Sequence, residues 1–222
     1  MPSVQVTLGQ AGNPAQVAST VQIMLLLTVL AVAPAILILM TSFTRIIVVL
    51  SFVRSALATG TMPPNQVLVG LALFLTLFVM KGPLGQVYSQ AWVPYQAGQI
   101  TLQQAIDDAQ SPLRGFMLAQ TRPSDLALFV DMQGSKPAKP QDVSFTALVP
   151  AFTISELKTA FEMGFVIFIP FVVIDMVVAS TLMSMGMMLL PPVMISLPFK
   201  VLLFVLVDGW HLTMQSLLLS FH

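Results

Sequence analysis

The sequence contains no cysteine and only two histidines, His211 and His222. A disulfide framework, a Cys-based zinc site and a thiol nucleophile are therefore excluded, and a histidine-based metal centre has too few ligands. Charge is also scarce. Only 8% of the 222 residues are charged, against about 25% in an ordinary soluble domain. Such a chain cannot cover its own surface with charge, so most of its exterior must meet lipid or other apolar protein, and a free cytosolic enzyme is ruled out. The nine basic and nine acidic residues cancel, leaving no positive field to hold nucleic acid. Glycine-rich phosphate loops, HExxH, GxSxG and EF-hand patterns are all missing, so neither nucleotide-driven work nor hydrolytic chemistry is indicated, and no cofactor is implied. The first charged residue is Arg45, so the start of the chain has no basic region of a secretory signal.

What is present is organised in apolar blocks. Residues 1–20 form a polar lead-in rich in Gln, Gly, Pro, Ser and Asn. Val21–Met40 is an uncharged stretch near the ~20 residues that span a bilayer, with Pro34 expected to kink it. Val67–Met80, after Pro63-Pro64, is short for a span and completes a first apolar helical pair over 21–80. Residues 81–149 are polar. There, Thr101 with Gln104 predicts a capping box opening a helix toward Pro112, Ser124 predicts a cap for a short helix over Asp125–Met132, and Gly134–Pro140 reads as a loop. Residues 150–222 hold two further apolar blocks, Met163–Leu190 and Val193–Phe221, separated by Pro191-Pro192, which predicts a helical hairpin with a tight tip. No alternating strand pattern persists, so the fold class is all-α. Arg45 and Arg54, taken as a loop between the first two blocks, predict a cytoplasmic side there, which puts residues 81–149 outside.

Several charges interrupt the apolar blocks. Asp or Lys at a helix centre costs about 2.5–3.5 kcal/mol on insertion scales. Glu162, Asp175, Lys200 and Asp208 therefore predict helices packed largely against protein, with Asp175 and Asp208 as buried charges. Thr153-Ile154-Ser155-Glu156 reads as a capping box starting a helix of about 35 residues to Leu190. Glu156 then serves as a cap carboxylate, as the ionic partner of Lys200 on a neighbouring helix or subunit, or as both; Lys200 alternatively snorkels to a headgroup. Asp208 and His211 share a helix face, which suits helix-end hydrogen bonding better than catalysis. Of fifteen methionines, Met183, Met185, Met187 and Met188 crowd together. Thioethers fill irregular space, and they would equally make a deformable ring closing a pore. Ser180 and Ser184 have the small-xxx-small spacing of close helix approach.

These residues carry a resemblance. Pro150–Phe165 (PAFTISELKTAFEMGF) and Pro192–Trp210 (PVMISLPFKVLLFVLVDGW) are similar to the two signatures of the FliP family, and Thr41–Leu50 (TSFTRIIVVL), Pro63–Leu68 (PPNQVL) and Gly186–Met188 add to the match. The resemblance covers about residues 20–221. It implies a non-enzymatic core subunit of the type III export gate at the base of the bacterial flagellum. Such a subunit forms a pentameric ring with FliQ and FliR, is joined by FlhB and FlhA, and passes unfolded flagellar subunits. It implies membrane-associated helical hairpins assembled into a pore-forming ring, with a small extracytoplasmic helical region. Location would be the inner membrane and basal body, with helices partly on the periplasmic side. Residue by residue, it puts an intersubunit ion pair on Glu156 and Lys200. It puts a methionine gasket on Met187 and Met188, with Met185 beside them and Leu189 where a third methionine is common. The injectisome homologue SctR shares both signatures, although Thr41–Leu50 and Val207–Trp210 look closer to the flagellar branch. A secondary transporter with an ion site at Asp175 or Lys200 is one rival, and the chain lacks the internal repeat such folds show; a lipid-embedded scaffold that lines no pore is another.

Overall fold

The computed structural model describes residues 14–134, 137–187 and 190–221. Every regular element among them is helical. The chain divides into two units, Met1–Leu37 and Ile38–His222. The first is described from Pro14 and holds most of α1 (Pro14–Met40), which continues through Pro34.

The second unit begins where α1 ends. Thr41 and Thr44 break the helix there, because their hydroxyls compete with the backbone for hydrogen bonds: Phe43 N–H donates to Thr41 Oγ1 at 3.3 Å, and Thr44 Oγ1 donates to the carbonyl of Ile38. Then comes α2 (Phe43–Ala56). Residues 41–57, expected as a loop, are mostly this helix. Ile46, Val49, Leu50, Val53, Ala56 and Leu57 are buried, and their spacing draws one apolar stripe down it. α3 (Asn65–Val79) starts behind Pro64. α4 (Lys81–Val87), a π-helical turn (Tyr88–Trp92) and α5 (Val93–Gln96) follow as one run, bent 64° from α3.

α6 (Leu102–Gln120) opens with the expected capping box, Thr101 and Gln104 each bonding the other's backbone. It does not stop at Pro112 but runs on, because Met117, beyond the proline, is fully buried and Phe116 packs on the same core. α7 (Pro123–Met132) begins with proline in its first turn instead of a Ser124 cap. After a short 3₁₀ turn (Pro140–Asp142) comes α8 (Phe145–Ser184), 40 residues long. Its cap is Ser144, whose Oγ accepts from Ala147 N–H at 3.3 Å. The box expected at Thr153–Glu156 is therefore not a helix start: both residues lie inside α8, and Thr153 Oγ1 donates to the Val149 carbonyl at 2.8 Å.

α8 ends in a Schellman turn. Gly186 takes φ +74°, Met187 N–H reaches the Leu182 carbonyl and Gly186 N–H the Met183 carbonyl, both at 3.0 Å. A residue with Cβ resists that left-handed geometry, so glycine sets where the helix stops. α9 (Pro192–Leu206) returns with proline at its start, and α10 (Gly209–Leu219) leaves it at 64° through Asp208, itself left-handed at φ 51°.

Two apolar cores lie among the described residues. Val53 and Ala56 of α2, with Leu57 just after it, meet Phe171 of α8 and Phe204 of α9. Met117 of α6 meets Ala147, Leu148 and Phe152 of α8, with Leu126 and Phe129 of α7 against them. α2 and α8 approach closely at Gly164, where an added Cβ would stand 2.4 Å from the ring of Phe52. By length and composition α8 alone is a complete membrane span among the described residues, while other helices reach span length only as bent pairs.

Candidate functional site

Among the described residues the two most buried charges face each other, one on α2 and one on α8. Arg45 is 2% exposed and Glu156, in the first third of α8, is fully buried. The two face each other as a fork: Arg45 Nε donates to Glu156 Oε2 at 3.0 Å and Nη2 donates to Oε1. This bidentate geometry is the strong form of the interaction. The remaining guanidinium donors are used as well. Nη1 donates to the Ser220 carbonyl at 2.7 Å and to Ser220 Oγ at 3.0 Å, and Nη2 donates to Gln120 Oε1 at 3.0 Å. Phe221 lays its ring 4.0 Å from the guanidinium carbon, and Gln120 Nε2 donates to the Phe221 carbonyl at 3.2 Å. One side chain thus ties α2, the end of α6, the first third of α8 and the residues following α10. A buried charge is tolerable only when so fully partnered.

The next buried charge is Lys200 on α9, 3% exposed. Its Nζ donates to Asp175 Oδ2 on α8 at 2.6 Å, and Ser196 Oγ donates to Asp175 Oδ1 at 2.5 Å. Both carboxylate oxygens are therefore engaged, one turn of α9 apart, and they lock the α8–α9 hairpin at mid-length. Asp175 is 29% exposed, so it sits at the edge of the hairpin and not in its centre. A third tie lies nearer the surface. Arg122 donates to Glu162 with both terminal nitrogens, at 3.0 and 2.6 Å, while Ser155 Oγ, on α8, accepts from Arg122 N–H and donates to Asp125 Oδ2. It docks α7 on α8.

Within the chain, then, Glu156 and Lys200 are not brought together: each has another partner. Asp208 was expected to be buried and is exposed, as is His211. Asp208 makes no side-chain cap bond, because its left-handed backbone turns the chain between α9 and α10. Of the methionine stretch, Met183 and Met185 are well exposed and Met187 is 39% exposed, all at the Schellman turn that forms the hairpin tip. Met188 and Leu189 lie outside the described residues. Arg45 is no loop residue, which removes it from the argument for orientation. Arg54 remains at the end of α2, where it donates to Asn65 Oδ1 at 2.5 Å. No group of three metal-ligating side chains occurs among the described residues.

A sequence model described as FliP family matches residues 26–217. The chain belongs to the FliP family. It is 58% identical to the flagellar biosynthetic protein FliP of Bacillus subtilis, over 97% of this chain and 98% of that protein. The relatives of the same name from Pectobacterium carotovorum and Cereibacter sphaeroides are 55% and 52% identical, over 91% and 99% of this chain and 79% and 73% of theirs.

The family match takes in Arg45, Glu156, Asp175, Lys200 and the methionine tip, but Ser220 and Phe221 fall beyond it. In this FliP-family chain the residue that sequence reasoning missed is Arg45. The signal was present: buried-type residues at 46, 49, 50, 53, 56 and 57 have helical spacing, so an arginine one step before them sits on a helix that must be buried. Its partners Gln120 and Ser220 leave no such trace, since neither lies in a motif.

Proposed function

We propose that this chain is a core subunit of the flagellar type III protein export gate. In this reading it is a membrane-associated flagellar component of the inner membrane and basal body, with helices partly on the periplasmic side. Five copies form a ring that builds a protein-conducting pore with FliQ and FliR. FlhB and FlhA join it, and unfolded flagellar subunits pass through. It acts by shape and sealing, with no catalytic group and no cofactor.

The observation that carries this reading is the outer surface of α8. Large apolar side chains stand exposed from Ile154 to Met183, a strip about 43 Å long at 1.5 Å per residue. The hydrocarbon core of a bilayer is about 30 Å, and even a steep tilt of about 40° shortens the strip only to about 33 Å. Lys158 and Glu162, both exposed, stand among Ile154, Leu157 and Phe161. That end of the strip is therefore outside the hydrocarbon, and its apolar side chains call for protein against them. Sister copies around a conduit supply that cover.

Met187 and Met188, at and beside the hairpin tip, act in this reading as the gasket, with Met185 and Leu189 flanking. Their thioethers are unbranched and polarizable, suited to closing around nothing and yielding to a chain. The Glu156–Lys200 pair between subunits belongs to the same reading. It requires both residues to share or leave Arg45 and Asp175, which they hold in the protomer. Glu156 has lone pairs left and Lys200 has spare donors for sharing.

Native mass measurement of the complex extracted in mild detergent tests the assembly: a multimer carrying FliQ and FliR is expected, and a lone well-behaved monomer refutes it. Conductance of cells carrying Met187→Ala with Met188→Ala tests the seal. Ion leak with continued export is expected; conductance at background removes the gasket assignment.

A further inference from the structure

The chain has two tryptophans and two tyrosines in all. Three of the four, Tyr88, Trp92 and Tyr95, lie within eight residues of one another on the α4–α5 run. They continue a stripe that starts at Leu84, and the four are between 39% and 60% exposed. The spacing 84, 88, 92, 95 is one side of a helix. One residue back, Pro83, Val87, Ala91 and Pro94 are buried or half-buried, the side on which the run packs against α6. Gln86, Ser89, Gln90 and Gln96 are exposed on the remaining side together with Val93, and Gln86 and Gln90 border a groove against Ser111 and Gly115 of α6. The run thus has a packed side, an aromatic side and a hydrogen-bonding side.

Three features bear on what meets the aromatic side. Its rings are amphipathic: tryptophan and tyrosine carry an apolar body and a polar edge and concentrate where bilayer meets water. The run leaves the apolar helix α3 at 64°, with Lys81 as its first residue. α3 is itself only 15 residues, about 22 Å, and its exposed ridge includes Phe74, Leu77 and Phe78. A short span of this kind is matched to the bilayer by residues flanking its end. Finally, the first acidic residue in the entire chain is Asp107. From the end of α3 through Ile106 the only charge is therefore Lys81, so the run itself carries no group that repels a phosphate layer, and the nearest acids, Asp107 and Asp108, stand on α6.

We propose that Lys81–Gln96 lies along the membrane–water interface, with Leu84, Tyr88, Trp92 and Tyr95 set into the phospholipid headgroup layer and Lys81 at the phosphates. The run then fixes how deep α3 sits and carries α6 and α7 out of the lipid. This rests on α3 meeting a bilayer, and not on the export reading.

The test is depth-resolved quenching of Trp92. The full chain carrying Trp210→Phe is placed in vesicles of phosphatidylethanolamine and phosphatidylglycerol doped with nitroxide lipids labelled at the headgroup, the upper acyl chain or the acyl terminus. The substitution is mild, since Trp210 contributes an edge-to-face ring contact with Phe204 at 5.3 Å. If that variant fails to fold, the same signal is taken as the difference between the unaltered protein and Trp92→Phe. The expected result is a blue-shifted emission lost most strongly to the headgroup and upper-chain labels. Quenching by aqueous iodide without any lipid effect overturns the proposal, as does protection from all quenchers, which would mean cover by protein. Strongest loss to the acyl-terminus label overturns it too, because the rings would then lie in the hydrocarbon. Native mass measured on the same preparation separates this outcome from the assembly result.

Discussion

Replacing Arg45 by methionine removes the centre of the α2–α6–α8 junction while keeping a long apolar stem. Glu156 would then be a fully buried carboxylate with no cation beside it, and the Ser220 carbonyl and Gln120 would lose their donor. Breaking a buried ion pair from one side costs about 3–5 kcal/mol, because the other charge is stranded away from water. For a chain of this size each kcal/mol lowers the melting temperature by about 2–4 °C, so a drop of about 6–20 °C is expected. Removing both charges with Arg45→Met and Glu156→Leu should recover most of that loss, since a buried pair replaced whole by apolar groups is often neutral. Arg45→Lys should fall between, as an ammonium cannot form the two-pronged fork. The assay is thermal unfolding in detergent followed by far-ultraviolet circular dichroism, run as a double-mutant cycle. If Arg45→Met melts within about 1 kcal/mol of the parent, or if the double variant is no better than the single, then Arg45 is not what neutralises Glu156 and the junction is wrongly understood.

Two further substitutions probe the helix contacts. Gly164→Ala forces a Cβ to within 2.5 Å of Phe52 Cγ and 3.0 Å of Phe52 Cβ, a contact that rotating the ring does not relieve. α2 and α8 should therefore separate at a cost of about 1–3 kcal/mol, measured by denaturant midpoint and relieved by adding Phe52→Leu. Lys200→Met leaves Asp175 without its cation at the hairpin edge, for a loss of about 1–3 kcal/mol. Asp175→Asn in the same chain should restore stability. If ring recovery falls on Lys200→Met and Asp175→Asn does not restore it, Lys200 serves a neighbouring subunit in the way the Glu156 reading requires.

The two capping-box sequences, at Thr101 and at Thr153, show how far local chemistry alone can be read, and where it stops. Composition, apolar blocks and punctuation are local properties, and they were enough for an all-helical chain, the capping box at Thr101, the turn at Gly134 and the hairpin across Pro191-Pro192. They failed where a local signal had competitors. Thr153–Glu156 has the residues of a cap, but Ser144 lies upstream and α8 is already under way. Pro112 is a helix breaker by propensity, yet burial of Met117 carries α6 past it.

The amino-acid order by itself thus determined that this chain must be helical, must hide its surface in lipid or protein, and belongs with the FliP family, because all three follow from which residues occur and how they are spaced. It did not determine which acid neutralises which base. Arg45 and Glu156 are 111 residues apart and Lys200 and Asp175 are 25 apart. Their pairing depends on where α2 and α9 cross α8, and those crossings are set by Gly164 admitting Phe52 and by Phe171 meeting Phe204. A charge in an apolar helix has to find a partner; only the packed helices decide which one is within reach.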